Sequence, residues 1–257
     1  MAPEKSSTPL DHLVTFCNKE LQHDELIDYS GAINGLQIEN SGNVSKIGAA
    51  VDASYNVINQ CVKSGIDFLV VHHGLFWTTR TPWTGTNYKM LKTLIQNDIS
   101  IYSSHLPLDL HPILGNNAQI IDKMDLTIDS PCGNYKGQPI GYLCKESMGI
   151  SDFSAKVNQL FDGKFKQYNF GPSTCHKIAI ISGGAGSEIA ELAKNGVDCL
   201  LTGEGPHWTY SLAQELKINL FYAGHYATET FGVKALSSYL ASKFNMPWEF
   251  IDDPSFL

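Results

Sequence analysis

No stretch of this sequence gathers lysine and arginine into a run that could track a phosphate backbone. The 18 basic residues are outnumbered by 26 acidic ones, for a formal charge of −8, so nucleic acid is excluded as an expected partner. Nor do about 18 apolar residues stand together anywhere, as a membrane-crossing helix requires. The first 13 residues hold neither a basic region before an apolar run nor a small-residue cleavage site, so no membrane association is expected and the cytoplasm is the expected compartment. The six cysteines (Cys17, Cys61, Cys132, Cys144, Cys175 and Cys199) form no Cys-x-x-Cys pair, and none stands at zinc-finger spacing from a histidine. They read as reduced thiols, with Cys61 and Cys199 as small core residues inside apolar segments. A Gly-x-Ser-x-Gly elbow is also missing, and no cysteine lies near the histidine motifs described below, which argues against a serine or cysteine hydrolase.

What is present is enough apolar material, 43% of 257 residues, to bury a core without disulfides or structural metal. Any bound metal is therefore expected to be functional. The chain also repeats itself. At an offset of 131, residues 46–78 align with residues 177–209 without a gap, and ten of 33 positions are identical, where chance gives about two. The identities include Lys46/Lys177, Gly65/Gly196, Asp67/Asp198, Gly74/Gly205, Trp77/Trp208 and Thr78/Thr209.

Each copy reads as strand, helix, strand: an apolar run (47–51; 178–181), a helical stretch, then Gly-apolar-Asp leading into a second apolar run (68–71; 199–201). The glycine suits a left-handed helix end, and the strands are expected to be parallel. After a length difference of eleven residues the likeness resumes, 99–109 against 219–229, and both segments place a carboxylate four residues after a histidine. Upstream, a helix over 10–21, with Ser7 or Thr8 as cap and Pro9 in its first turn, has a counterpart over 152–161 after Ser151. The expected fold is α/β: two pseudo-symmetric lobes from an internal duplication, residues 1–125 and 126–257. Each would be a mixed sheet flanked by helices, the last strand (248–251) being free to cross over, and a dinuclear metal site is expected in the cleft between the lobes.

His72 and His73 end an apolar strand, where ligand sites of α/β sheets form. Adjacent strand residues point to opposite sides, so two imidazoles there are not expected to serve one small ion easily but can fan out to two. His225 and Glu229 open a helix after the strand 220–222, and a spacing of four puts both on one face. His105 and Asp109 repeat the pattern, with Pro107 between them favouring a strand end that turns into a loop. Imidazole and carboxylate without thiolate suit two divalent ions such as zinc, iron, manganese, cobalt or nickel. If Glu229 bridges, His73, Asp109 and Glu229 serve one ion and His72, His225 and Glu229 the other, in the two-metal form used for hydrolysis. SGGAGSE (182–188) lies between strand and helix, and reads either as a tight turn or as a phosphate cradle lacking the P-loop Lys and Ser/Thr. Phe76, Trp77, Trp83 and Trp208 read as packing or subunit contact.

The motifs VHHGLFW (71–77), SSHLPLD (103–109), LGNNAQ (114–119) and GHYATE (224–229), with NGLQ (34–37) and TGE (202–204), resemble the NIF-three-like family. Many of its members are named type 2 homologues of GTP cyclohydrolase I. The resemblance covers essentially the whole chain, in the short form without an inserted domain. It implies a metal-dependent hydrolase acting on a small nucleotide-like or phosphorylated substrate, assembled as a homohexameric ring. The five metal ligands carry over to His72, His73, Asp109, His225 and Glu229. His105 and Glu204 fall near the centre, as proton shuttles or as hydrogen-bonding groups that orient a ligand. Gly74 stands where many relatives have proline. The alternative function is a non-catalytic metal-binding scaffold.

Overall fold

The computed structural model describes residues 7–76 and 82–255. Trp77 and Thr78, two of the repeated residues, lie outside them. The fold is mixed α/β, with sheets flanked by helices. The chain divides into two compact units: one runs to Leu108 and resumes over Val233–Asp253, and the other comprises Asp109–Gly232 and resumes at Pro254.

The first unit is built on a five-stranded sheet, in the order Trp248–Phe250, Ile47–Asp52, Phe68–His73, Ser100–Ser103, Gly35–Ile38. All neighbours are parallel except the last pair. The final strand of the chain thus adds to the edge beside Ile47–Asp52. Ala50, Leu69, Val71 and Ile101 form one face of the core with Val57, Ile58, Cys61 and Leu94 from the helices Tyr55–Ser64 and Gly85–Gln96. The first of these helices starts on Ser54, whose hydroxyl accepts the Val57 amide, and ends on Gly65 at φ +64°, where a side chain would be strained.

The second unit carries a six-stranded sheet, in the order Lys166–Asn169, Asn219–Tyr222, Cys199–Thr202, Ile178–Ile181, Gly141–Cys144, Ile128–Cys132. The pairs among its three central apolar strands are parallel, and the others antiparallel. Both faces are covered. Ile178, Ile180, Cys199, Leu201 and Phe221 pack one way, toward Ile120, Phe153 and Val157, while Ala179, Ile181, Leu200 and Leu220 pack the other way, toward Ile189, Leu192 and Ala213. That alternation is why these strands are nearly continuous apolar runs. All six cysteines are free thiols, and Cys61 and Cys199 are fully buried; burial pushes the Cys61 thiol up to about 12.

Several repeated residues make the same bonds inside each unit. The Asp67 carboxylate accepts the Ser45 and Lys46 amides, and the Asp198 carboxylate accepts the His176 and Lys177 amides. Lys46 Nζ donates to the Ser64 carbonyl at the end of its helix, and Lys177 Nζ to the Asn195 carbonyl. These bonds tie the start of one strand to the turn that enters the next.

The expected caps at Ser7, Thr8 and Ser151 are corrected. Thr8–Pro9 pairs with Asn43–Val44 as a short antiparallel ladder, and the helix Leu10–Leu21 begins directly after it, with no side-chain cap. The Leu10 amide is satisfied instead by the Gly42 carbonyl. Met148–Gly149 and Thr174–Cys175 form the corresponding ladder before Ile150–Leu160, whose first amide donates to Ser173 O. A backbone acceptor has taken the place of the hydroxyl in both.

Candidate metal centre

In the first unit, the strands Phe68–His73 and Ser100–Ser103 run side by side with Val71 opposite Ser103. His72 and His73 end the first of these strands, and His105 follows two residues past the end of the second. The three rings gather, their centroids 4.8 Å (His72–His73), 4.8 Å (His72–His105) and 5.7 Å (His73–His105) apart. One nitrogen from each lies within 4.8 Å of the others.

Each ring is held through Nδ1. His72 Nδ1 lies 3.0 Å from the Ser104 carbonyl, His73 Nδ1 2.9 Å from Asp52 Oδ1, and His105 Nδ1 2.6 Å from Asp28 Oδ1. A carbonyl or carboxylate can only accept, so each Nδ1 carries a proton and is the nitrogen that orients the ring. Asp28 is itself locked, taking bonds from the Asn34 side chain and the Tyr29 and Leu106 amides. Burial pushes its carboxyl up, yet His105, Asn34 and Tyr29 hold it below the usual carboxylate range. Asn34 also accepts the His105 amide, which gives the NGLQ segment a role. Its Gln37 accepts the Leu75 amide at 2.7 Å, and a side chain at Gly74 would overlap the Gln37 amide.

In the second unit, His225 is the first residue of the helix His225–Phe244 and Glu229 lies one turn on. His225 Nε2 is 3.0 Å from Glu229 Oε1, and its Nδ1 is 2.8 Å from Glu204 Oε1. Burial lowers the imidazole's proton affinity, but Glu229 and Glu204 outweigh it and raise the pKa to about 9. Glu229 is only 2% exposed. Gly183, at φ +66°, packs on its carboxylate so closely that a Cβ would come within 3.0 Å of Oε1.

Asp109, also buried, accepts from the Asn116 side chain and the Ser182 hydroxyl, each at 2.8 Å. Asn117 donates to the carbonyls of Asp109 and Ile140 and accepts the Ser182 amide. Asn116 accepts the Gly232 amide. The asparagine pair of LGNNAQ therefore fixes Asp109. The segment after His105 is a short helix, Leu106–Leu110, rather than the expected loop; Pro107 sits in its first turn, where its missing N–H costs nothing.

Of two readings of the repeated segments, one is decided between its alternatives and one changes. The amides of Ser182, Gly183, Ala185 and Gly186 are bonded to Asn117, Thr228, Thr202 and Glu204. SGGAGSE is thus a turn at Gly183 and Gly184 leading into one 3-10 turn, Ala185–Glu188, with these four amides already bonded to other parts of the unit rather than open to a phosphate. The backbone bonds Ser104 N to Val71 O and Ala223 N to Thr202 O make Ser104 the counterpart of Ala223. His105 therefore corresponds to Gly224, one residue out of step with the alignment of His105 on His225. Gly224, at φ +93°, makes the turn that lets the helix start at His225.

Asp28, Asp52 and Ser182 were not foreseen, because their partners are distant in sequence. Asn34, Asn116 and Asn117 stood inside recognised motifs without a role. Of the aromatic residues, Phe76 and Trp83 meet edge to face at 6.0 Å, while Trp83 and Trp208 stay 41% and 51% exposed. Among the described residues no helix is long and apolar enough to cross a membrane.

The family of Duf34/NIF3 (NGG1p interacting factor 3) matches residues 9–254. Proteins named GTP cyclohydrolase 1 type 2 homolog are similar over nearly the full length. That of Deinococcus radiodurans is 36% identical, covering 92% of this chain and 95% of its own, and that of Haemophilus influenzae is 39% identical, covering 93% and 96%. Among solved structures, protein ybgI, of unknown function, superposes with a TM-score of 0.89 at 33% identity, covering 97% of this chain and 100% of its own. Reduced HcgD from Methanocaldococcus jannaschii gives a TM-score of 0.86 at 27% identity over the same shares. With the histidine, asparagine and GHYATE motifs all placed in folded context, the chain belongs to the DUF34/NIF3 family.

Proposed function

We propose that this chain is a duplicated α/β protein that holds two divalent ions with His72, His73, Asp109, His225 and Glu229, and uses them to hydrolyse a small nucleotide-like or phosphorylated substrate. One observation carries the reading: every histidine in the set bonds through Nδ1 to an oxygen acceptor (Ser104 O, Asp52 or Glu204). That pattern fixes the tautomer and ring direction of metal-ligating histidines. The donor set, imidazole and carboxylate without thiolate, fits zinc, iron, manganese, cobalt or nickel. The paired bonds of Asp67 and Asp198, and of Lys46 and Lys177, support the duplication.

Two ions bound there supply Lewis acidity and make bound water more acidic. The protein's own groups do the rest. Asn116 and Ser182 hold the Asp109 carboxylate, and Gly183 leaves room for Glu229. Glu204 orients His225 through Oε1, 2.8 Å from Nδ1, and its half-exposed carboxylate keeps a second oxygen that can take part in proton transfer. His105, steadied by Asp28, is the group placed to carry a proton. The names of the relatives support a nucleotide-like substrate, and the ions would offset the −8 charge toward a phosphate.

Elemental analysis of protein purified without an affinity tag is expected to find two ions per chain, falling below two in Glu229→Gln. Metal-loaded protein is then assayed against GTP, with formate release as readout. Activity no greater than in the metal-free control would dismiss GTP ring opening. Two bound ions with no turnover across a broad panel of phosphorylated substrates would dismiss hydrolysis and leave a metal-binding scaffold.

A further inference from the structure

We infer that His72, His73 and His105 form a tri-imidazole site in the first unit that takes up one divalent ion without His225 or Glu229. The inference shares His72 and His73 with the dinuclear reading and deepens it, naming a one-ion state and a third ligand.

The geometry comes from the parallel register. His72 and His73 end one strand, His105 lies two residues past the end of its parallel neighbour, and the His72 ring centroid is 4.8 Å from each of the other two. A tetrahedral ion with bonds of ~2.1 Å requires nitrogens ~3.4 Å apart. The donor atoms already lie within 4.8 Å of one another, so small rotations of the imidazoles close the set.

All three rings are prepared in the same way. Ser104 O, Asp52 and Asp28 each hold one Nδ1, so no ring must change tautomer to offer Nε2. The Asp28–His105 pair is the most enclosed of the two carboxylate–histidine pairs, with side chains 7% and 8% exposed. A buried carboxylate anchored by three other donors fixes the direction of the His105 ring, as metal ligation requires.

Three neutral imidazoles with no carboxylate among the donors favour a borderline ion such as zinc, iron(II), cobalt or nickel over magnesium or calcium. In the two-ion state His72 and His73 serve different ions, and His105 is released to move protons. The tri-imidazole site is thus a one-ion mode of binding that the first unit offers by itself.

The test uses the full chain carrying His225→Gln and Glu229→Gln. Zinc alone is titrated into metal-free protein, and the 15N resonances of the histidine rings are followed. One equivalent is expected to bind, moving the Nε2 signals of His72, His73 and His105 together. Adding His105→Gln should abolish that stoichiometric binding, while Asp28→Asn, which keeps a hydrogen-bond acceptor, should weaken it about 10- to 100-fold. Loss of zinc binding in the double variant would overturn the inference, as would unchanged affinity after His105→Gln or a still His105 resonance. The dinuclear reading is judged separately, by whether wild-type protein binds two ions. If it binds two while the double variant binds none, only the tri-imidazole site fails.

Discussion

Replacing Gly183 by alanine tests whether the carboxylate of Glu229 is placed by a glycine beneath it. The control is Gly196→Ala, because both glycines lie in the left-handed region, at φ +66° and +80°, yet a Cβ on Gly196 meets nothing within 4 Å. The control therefore costs only the left-handed strain, about 1–2 kcal/mol. For a chain of this size that lowers Tm by about 2–8 °C. At Gly183 the same strain is joined by a clash, since the new Cβ would lie within 3.0 Å of Glu229 Oε1. The turn cannot retreat: Gly183 N donates to Thr228 Oγ1, and Gly183 O accepts from Gly203, Glu204 and Thr202. Glu229 must move instead, stretching its 3.0 Å pair with His225. Overpacking adds about 1–3 kcal/mol, so Gly183→Ala should lower Tm about twice as far as the control. It should also weaken zinc binding in calorimetric titration, while Gly196→Ala leaves zinc affinity unchanged. Equal Tm losses together with equal zinc affinities would refute the argument.

Burial holds His23 at about 4, below its usual 6.5, so between those values the unfolded chain binds a proton that the folded chain does not. Stability should therefore fall as pH drops from 6.5 toward 4, and the slope of Tm against pH should flatten in His23→Gln. Asp67→Ala and Asp198→Ala each remove a charged acceptor from two strand-entry amides. Each should cost about 1.5–3 kcal/mol by urea unfolding; a negligible loss at both would show that these bonds do not support the strand entries. Asn117→Asp would set a carboxylate oxygen against the carbonyls of Asp109 and Ile140. It should destabilise by at least ~2 kcal/mol and reduce metal content, and wild-type thermal stability would count against the bonding scheme.

Alternation and apolar runs were enough to locate the strands around 47–51, 68–71, 178–181 and 199–201, because a doubly covered parallel sheet leaves no polar positions in its central strands. Gly65 and Gly196 marked the helix ends for an equally local reason, the left-handed backbone they adopt. Spacing likewise put His225 and Glu229 on one helical face, 3.0 Å apart. Each of these depends on residues within a few positions of one another.

What the sequence left open depends on partners brought together from afar. Asp28 meets His105 across 77 positions and Ser182 meets Asp109 across 73, separations at which no periodicity carries a signal. The caps expected at Ser7, Thr8 and Ser151 failed because carbonyls from Gly42 and Ser173 reached the helix starts first. The match of His105 to His225 slipped by one residue because sheet register, not sequence likeness, sets which residue follows the last ladder bond. Residue type and local spacing supplied the candidate donors; which oxygen holds each ring through Nδ1 was decided only by tertiary packing.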